Sequence, residues 1–255
     1  MVRLTILGSG SGGNCALLAT ARTRILFDAG FSRRETRRRL ALSGEELDGI
    51  AAIFVSHEHS DHVHGLARLS RETNAPVHLT ERTHAALEGP ALPRVEYFRA
   101  GECVQIGEFA VTPFTIPHDA ADPVAFTVRA EGVKLCLVTD LGYLPENVKD
   151  QLREADCLML ESNHDLEMLK VGPYPWAVKQ RVMSRVGHLS NGTAGEYLAG
   201  DFDGRARFLV LAHLSENNNL PELARINAEQ ALAARGVSPC LQIARQDQPL
   251  PAITL

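Results

Sequence analysis

The sequence lacks the features that mark secreted, disulfide-rich and membrane-spanning proteins. Its five cysteines form no Cys-x-x-Cys pair, and most have apolar neighbours, so we expect buried, reduced thiols. No apolar run approaches the roughly 18 residues that cross a membrane. Met1 leads directly into a strand-like segment, without the charged and apolar regions of a signal peptide. These absences predict a cytoplasmic protein that does not enter a membrane.

An excess of positive charge is also missing. The formal net charge is -5, which excludes a basic field over the whole surface, so any contact with nucleic acid must come from local patches. The sequence contains no repeat of fixed period, no linker and no low-complexity segment. Its 255 residues can bury a sizeable core, and we predict one domain over residues 1–255. The tail from Asp247 to Leu255 contains two prolines and is predicted to be irregular.

What the sequence does contain is a histidine-rich stretch after the apolar run Ile50–Val55, which is typical of a buried strand. The stretch reads Ser56-His57-Glu58-His59-Ser60-Asp61-His62. His57 and His59 are two residues apart and project the same way from an extended loop, so they can hold one ion. Asp61 and His62 are adjacent and point differently, so they can serve a second ion. Solvated loop histidines are the alternative, but such a charged cluster is costly to assemble unless a cation compensates it.

Several predicted strands end in a polar or ligand-type residue, and α/β proteins place their sites at such strand ends. These residues are Asp28, His57, His118, Asp140, Glu161 and His213. Two adjacent ions need about seven or eight ligands, with one carboxylate shared between them. The predicted ligands are His57, His59 and His118 for the first ion, Asp61, His62 and His213 for the second, and Asp140 as the bridge. This imidazole and carboxylate set suits zinc, manganese or iron.

These motifs, in this order along the chain, resemble the metallo-β-lactamase superfamily. The similarity begins with His-x-His-x-Asp-His and covers roughly residues 2–244. It implies an α/β fold of four layers, an αββα sandwich, with two metal ions at one edge of the paired sheets.

Four further segments are similar to the YycJ/WalJ-type branch of that superfamily. They are Ser9–Asn14, His118–Ala120, Gly187–Asn191 and Leu211–Ser215. This resemblance implies a metal-dependent hydrolase with two divalent ions, manganese or zinc. Its implied activity is that of a nuclease that degrades DNA from 5′ to 3′, in DNA repair.

Glu161 and His188 resemble the accessory acid and histidine of the β-CASP and tRNase Z nucleases. Only about 26 residues separate them, too few for the domain inserted in β-CASP enzymes, and no long insertion could grip a tRNA. Both absences argue against processing of RNA 3′ ends. In the mechanism that the resemblance implies, the ions activate a water, Asp61 accepts its proton, and His188 contacts the phosphate or protonates the leaving oxygen. A core histidine is the alternative for His188.

Polar loop residues are the candidates for substrate binding. The glycine-rich loop after the first strand could cradle a phosphate or be a plain hairpin. Besides His188, the candidates are Ser9, Ser11, Asn14, Ser162, Asn163, Ser190 and Asn191. No role is assigned to His64 or His164. The arginines from Arg33 to Arg39 form either a solvated helix face or a contact with a nucleic-acid backbone.

Three functions from different classes fit this pattern. The first is a two-metal phosphodiesterase, a 5′-to-3′ exonuclease acting on single-stranded or 5′-phosphorylated DNA ends, with DNA favoured over RNA as the partner. The second is a small-molecule hydrolase of the same fold, for thioesters or lactones, which needs no basic surface. The third is a non-catalytic nucleic-acid binder that keeps a metal site for stability. The oligomeric state stays open and includes a homo-oligomer.

Overall fold

Two seven-stranded β-sheets form the centre of the fold in the computed structural model, which describes residues 1–255. The first sheet contains β1 (Arg3–Gly8), β2 (Cys15–Ala19), β3 (Arg24–Phe27), β4 (Ile50–Phe54), β5 (Val77–Leu79), β6 (Val95–Tyr97) and β14 (Ile253–Thr254). The second contains β7 (Val104–Ile106), β8 (Phe109–Thr115), β9 (Val124–Ala130), β10 (Val133–Val138), β11 (Cys157–Glu161), β12 (Phe208–Ala212) and β13 (Cys240–Ile243). The strand orders are β14-β1-β2-β3-β4-β5-β6 and β13-β12-β11-β10-β9-β8-β7.

Nine helices connect the strands. They are α1 (Arg33–Leu42), α2 (Ser60–Val63), α3 (Leu66–Thr73), α4 (Glu81–Ala86), α5 (Glu146–Leu152), α6 (Leu166–Val171), α7 (Trp176–Val182), α8 (Asn191–Gly200) and α9 (Pro221–Arg235). None of them is both long and apolar enough to cross a membrane.

Three layers of buried apolar side chains hold the sheets and helices together. Between the sheets, Phe54 of the first sheet meets Phe126 of the second with ring centroids 5.9 Å apart. Outside the first sheet, Leu40 of α1 and Leu69 of α3 are buried against it. Outside the second sheet, Leu198 of α8 and its neighbours on α9 form the largest layer. The predicted four-layer αββα sandwich is therefore confirmed.

The pairing directions explain why one edge of the sandwich collects polar residues. In the first sheet β3 and β4 run parallel, and in the second sheet β10, β11, β12 and β13 do so. Strand β8 points the same way as β10, because both are antiparallel to β9. Within each sheet, the carboxyl ends of these strands therefore face the same side.

Two sequence predictions differ in part from the structure. The tail is irregular over residues 247–252, as predicted, but it ends in β14, where Ile253 is buried and pairs with Leu4 of β1, a contact that no local pattern indicates. The expectation of buried cysteines is wrong for Cys103 and Cys240, which are exposed, while all five cysteines are free.

Candidate metal centre

The polar residues predicted at strand ends come together at one edge of the sandwich. Asp28 follows β3, and the histidine loop follows β4. From the second sheet, His118 follows β8, Asp140 follows β10 and His213 follows β12, while Glu161 is the last residue of β11. The two sheets thus each supply part of a single cluster.

All seven predicted metal ligands belong to this cluster. Their ligand atoms form overlapping groups in which the atoms lie within 4.8 Å of one another. Three of these groups are His57/His59/His118, His57/His62/Asp140 and Asp61/His62/His213. The structure therefore places the residues predicted for the two ions side by side.

Asp140 lies between the two predicted ligand sets. Its Oδ2 is 3.2 Å from Nε2 of His62, and its Oδ1 is 3.3 Å from Nε2 of His213. On the other side, Oδ1 is 4.0 Å from Nε2 of His118. Asp61 closes the second set, because its Oδ2 is 3.4 Å from Nε2 of both His62 and His213. This position is the one expected of a bridging carboxylate.

Four of the imidazoles form hydrogen bonds to other protein groups through Nδ1 and direct Nε2 into the cluster. The Nδ1 partners are Ser56 Oγ for His57 (3.0 Å), Asp28 Oδ2 for His62 (2.8 Å), the Gly187 carbonyl for His118 (3.2 Å) and Glu161 Oε1 for His213 (3.0 Å). Such bonds fix the ring orientation and leave the Nε2 lone pair for a ligand, an arrangement typical of histidines that bind metals.

The buried polar atoms of the cluster fit a divalent metal. Nε2 of His57, a fully buried residue, has no hydrogen-bond partner, and neither has Oδ2 of Asp140. Burial, together with His62, holds the pKa of His57 well below its ordinary value, so this ring is a neutral donor. Burial opposes ionisation of Asp140, but His213 and His62 outweigh it and hold its pKa well below the usual range. Neutral imidazoles and ionised carboxylates are the donors that zinc and manganese accept.

Three residues of the site hold a strained backbone. Asp28, Asp140 and His213 have φ angles of 57°, 63° and 57°, in the left-handed region. Such conformations cost roughly 1–3 kcal/mol each and persist only where the surroundings impose them. Here Asp28 accepts from the Ser56 amide at 2.8 Å, and the His213 amide donates to Ser9 Oγ at 2.9 Å. The strain is thus offset by bonds that aim the side chains into the cluster.

Glu161 and His188 form a pair beside the predicted ligands. Nδ1 of His188 donates to Glu161 Oε1 at 2.8 Å, and the same oxygen accepts from His213. The other oxygen accepts from the backbone amides of Leu141 and Leu189 at 3.0 and 3.1 Å. Burial disfavours the charged form of His188, but Glu161 and Asp140 outweigh it and raise the pKa of His188. His188 is 19% exposed, so its remaining nitrogen, Nε2, is available to a substrate.

Most of the predicted substrate-binding residues are buried and already hydrogen-bonded to the protein. Ser9 Oγ donates to Asn14 Oδ1, and Asn14 in turn donates to Asp61 Oδ2 at 3.2 Å. The other buried members are Ser162, Asn163, Ser190 and Asn191, with Ser190 capping α8. These side chains have no access to a substrate and instead hold the loops that carry the cluster. Ser11 is exposed and keeps access, as does His188.

Two residues with a positioning role were not in the predicted site. Glu161 is among the predicted strand-end residues and resembles an accessory acid, but it is neither a predicted ligand nor a predicted substrate contact. Asn219 donates to the carbonyl groups of Ser162 and Asn163 at 2.9 and 3.0 Å and so ties the loop after β11 to the segment after His213. The polar run Asn217–Asn219, directly after a strand end, was the only local sign of it.

The arginines of α1 divide into structural and surface groups. Arg39 is buried, lies over the Phe31 ring at 3.9 Å and donates to the Leu7 carbonyl, so it holds α1 to β1. Arg38 pairs with Glu35 on the same helix. Arg33 and Arg37 lie at the surface and share the single carboxylate of Glu72 on α3.

The comparison with protein families identifies the class. A family model described as the beta-lactamase superfamily domain matches residues 23–214, and the chain belongs to this superfamily.

Curated relatives narrow the similarity to the YycJ/WalJ-type branch. The chain is 36% identical over 239 residues to exodeoxyribonuclease YycJ of Bacillus anthracis, covering 92% of this chain and 90% of the relative. It is 34% identical over 237 residues to exodeoxyribonuclease WalJ of Streptococcus pneumoniae serotype 2 (strain D39), covering 91% and 88%. Among solved structures, the metallo-beta-lactamase fold protein YhfI from Bacillus subtilis superposes with a TM-score of 0.73 at 16% identity, over 98% of both chains.

Proposed function

We propose that this protein is a metal-dependent exodeoxyribonuclease that removes nucleotides from the 5′ end of DNA. The observation that carries the proposal is the cluster of five imidazoles and two carboxylates, because two metal ions held there suit the cleavage of a phosphodiester. The similarity to relatives named exodeoxyribonuclease supports DNA as the substrate. We place the reaction in the cytoplasm, in DNA repair, with manganese or zinc as the ions.

In this proposal the residues of the cluster have separate roles. His57, His59 and His118 would hold one ion, and Asp61, His62 and His213 the other, with Asp140 between them. When bound, such ions would supply an activated water and would neutralise the charge on the scissile phosphate. The carboxylate of Asp61 would take up the proton of that water.

His188 then acts on the leaving group. Its Nδ1–H is held by Glu161, so Nε2 is the nitrogen that meets the substrate. Glu161 and Asp140 raise the pKa of this ring above its ordinary value, which favours the protonated form that can give a proton to the leaving 3′ oxygen. Glu161 stabilises the protonated ring and keeps its orientation.

The test is a product analysis on DNA labelled at the 3′ end. Protein with Mn²⁺ should shorten a 5′-phosphorylated single strand stepwise from the 5′ end, and His59→Ala should abolish this. Arg207→Ala is the matched control, because Arg207 is exposed at the start of β12, opposite the strand end that carries the site. Full activity of His59→Ala would overturn the mechanism. Hydrolysis of a thioester without any cleavage of DNA would overturn the proposed function.

A further inference from the structure

A groove opens directly beside His59. It has a volume of about 540 Å³ and lies between the helices α2 and α3 on one side and the segment 84–92 on the other. Its walls include the apolar side chains of Val63, Leu66, Ala67 and Leu92. The groove is therefore continuous with the candidate metal centre, and its apolar side chains share the walls with polar ones such as His84.

A smaller cavity of about 220 Å³ flanks the other side of the histidine loop. It is lined by Ser11, Gly30 and Asp61, among others. Ser60 and His64 line both cavities. His64 is exposed and marks the junction between them.

Arginines border the groove where α3 leads away from the metal centre. Arg68 and Arg71 are exposed on α3, and neither has a carboxylate within 4.0 Å. Nη2 of Arg71 donates to the carbonyl of Ala91, in the wall of the groove, at 3.0 Å. Together with Arg33 these arginines line a further cavity of about 510 Å³, whose one acid is Glu72. Helix α3 thus presents an apolar side to the groove and unpaired positive charge next to it.

We propose that this groove and its arginines bind the single-stranded DNA that extends from the metal centre. This inference rests on the proposed function and names the path of the substrate. Nucleobases lie against the apolar side chains of the groove, and the backbone phosphates contact Arg68 and Arg71. His64 packs against the nucleotide next to the bond that is cut.

The distribution of charge explains why the groove binds the bases and the arginines bind the phosphates. Glu58 and Glu88 line the groove, and carboxylates repel phosphate, so the phosphates are directed to α3. Bases need no charge, since they bind by stacking and apolar contact, which single-strand binding proteins combine with a positive track for the backbone. A chain with a net charge of -5 that keeps two unpaired arginines at this place has the complementarity that a polyphosphate requires.

Binding of a fluorescent oligonucleotide tests the path. The probe is a phosphorothioate single strand of roughly 20 nucleotides, which exceeds the roughly 4–16 nucleotides that one binding fold covers. Its Kd is measured by anisotropy on the metal-loaded protein over a series of salt concentrations. The double variant Arg68→Glu/Arg71→Glu should raise Kd about tenfold or more and reduce the salt slope by about 1.4, or about 0.7 for each phosphate that the variant no longer neutralises.

Two further variants probe the groove itself. Ala67→Glu places a carboxylate in the groove, and His64→Ala removes the side chain at the junction; each should raise Kd about tenfold, the order expected when one base is no longer stacked. Melting temperatures verify that the variants are folded. The charge-reversed control is Arg207→Glu, at the opposite end of the strand, and it should bind like the wild type.

The possible results distinguish a failure of the proposed DNA path from a failure of the proposed function. If the wild type cleaves DNA and all groove variants bind like Arg207→Glu, the path is wrong and the proposed function stands. If the wild type binds but does not cleave, and the arginine variant weakens binding, the function fails and the path stands. If the wild type does not bind the strand, the path is overturned, and the function is overturned as well if the wild type does not cleave DNA.

Discussion

Replacing Gly30 by alanine should disable the metal centre without touching a predicted ligand. Gly30 lies in the turn after β3, where its amide donates to the Asn14 carbonyl and the Asn14 amide donates to the Asp61 carbonyl. A Cβ at Gly30 would lie 1.7 Å from the Asp61 carbonyl oxygen and 2.5 Å from the Asn14 nitrogen. The three backbone segments can approach this closely only because no side chain stands between them.

The size of the expected effect follows from these distances. Real Cβ atoms essentially never approach another atom closer than 3.0 Å, so Asp61 or Gly30 must move by about 1.3 Å, the difference between 3.0 and 1.7 Å. Functional sites tolerate displacements of about 0.5 Å, and a shift of 1 Å can cost about a hundredfold in rate. Overpacking should also cost about 1–3 kcal/mol of unfolding free energy.

Three measurements on Gly30→Ala check this reasoning: calorimetric titration with Mn²⁺ or Zn²⁺, urea unfolding, and cleavage of DNA. The matched control is Gly200→Ala at the end of α8, where no atom lies within 4 Å of the added Cβ. The control should stay within about 0.5 kcal/mol of the wild type, as surface substitutions do. If Gly30→Ala binds metal and cleaves DNA like the control, the close approach does not position Asp61 and the reasoning is refuted.

Three further predictions concern residues that surround the cluster. Burial lowers the pKa of His164 to about 4, so the folded state resists a proton that the unfolded state accepts near pH 6.5. The free energy of unfolding is therefore highest above that pH and falls as the pH drops, by about 2 kcal/mol between pH 7 and pH 5. Urea midpoints of the wild type should show this loss and those of His164→Leu should not; equal losses would contradict it. Glu161→Gln turns an amide NH₂ toward two existing donors in either orientation, so we expect a loss of about 1–3 kcal/mol on urea unfolding and a lower kcat, because His188 loses its partner. Asp28→Asn suits the left-handed backbone but weakens the bond that orients His62, and metal titration should show an affinity roughly 10–100-fold lower; unchanged affinity would speak against a positioning role.

The local pattern predicts most of the strands and places the candidate ligands at their ends. The apolar runs before His57, Asp140 and His213 correspond to β4, β10 and β12, because a buried strand must be apolar and the residue after it is free to be polar. The topology came from family resemblance, since periodicity does not say which strands pair. Pairing of β14 with β1 joins the two ends of the chain, and no short segment carries that information.

The substrate contacts were harder to predict than the ligands. A polar residue in a loop has the same sequence signature whether it binds a substrate or supports the backbone. Asn14 illustrates this, because the two N–H groups of its side-chain amide donate to the Gly10 carbonyl and to Asp61 Oδ2. The groove beside His59 was also beyond sequence reasoning, as its walls come from segments that are distant in the chain and individually unremarkable.

The contribution of both sheets to the cluster has a consequence for how the protein folds. Each of the groups His57/His59/His118, His57/His62/Asp140 and Asp61/His62/His213 combines residues that follow β4 with a residue from the second sheet. Neither half of the sandwich can therefore complete any of these three groups alone, and the predicted two-ion site exists only after the two halves have docked. The free energy of metal binding adds to the free energy of closing the sandwich, as it does wherever the site is absent from the unfolded chain. An ion bound at this edge would therefore stabilise the docking of the two halves of the chain.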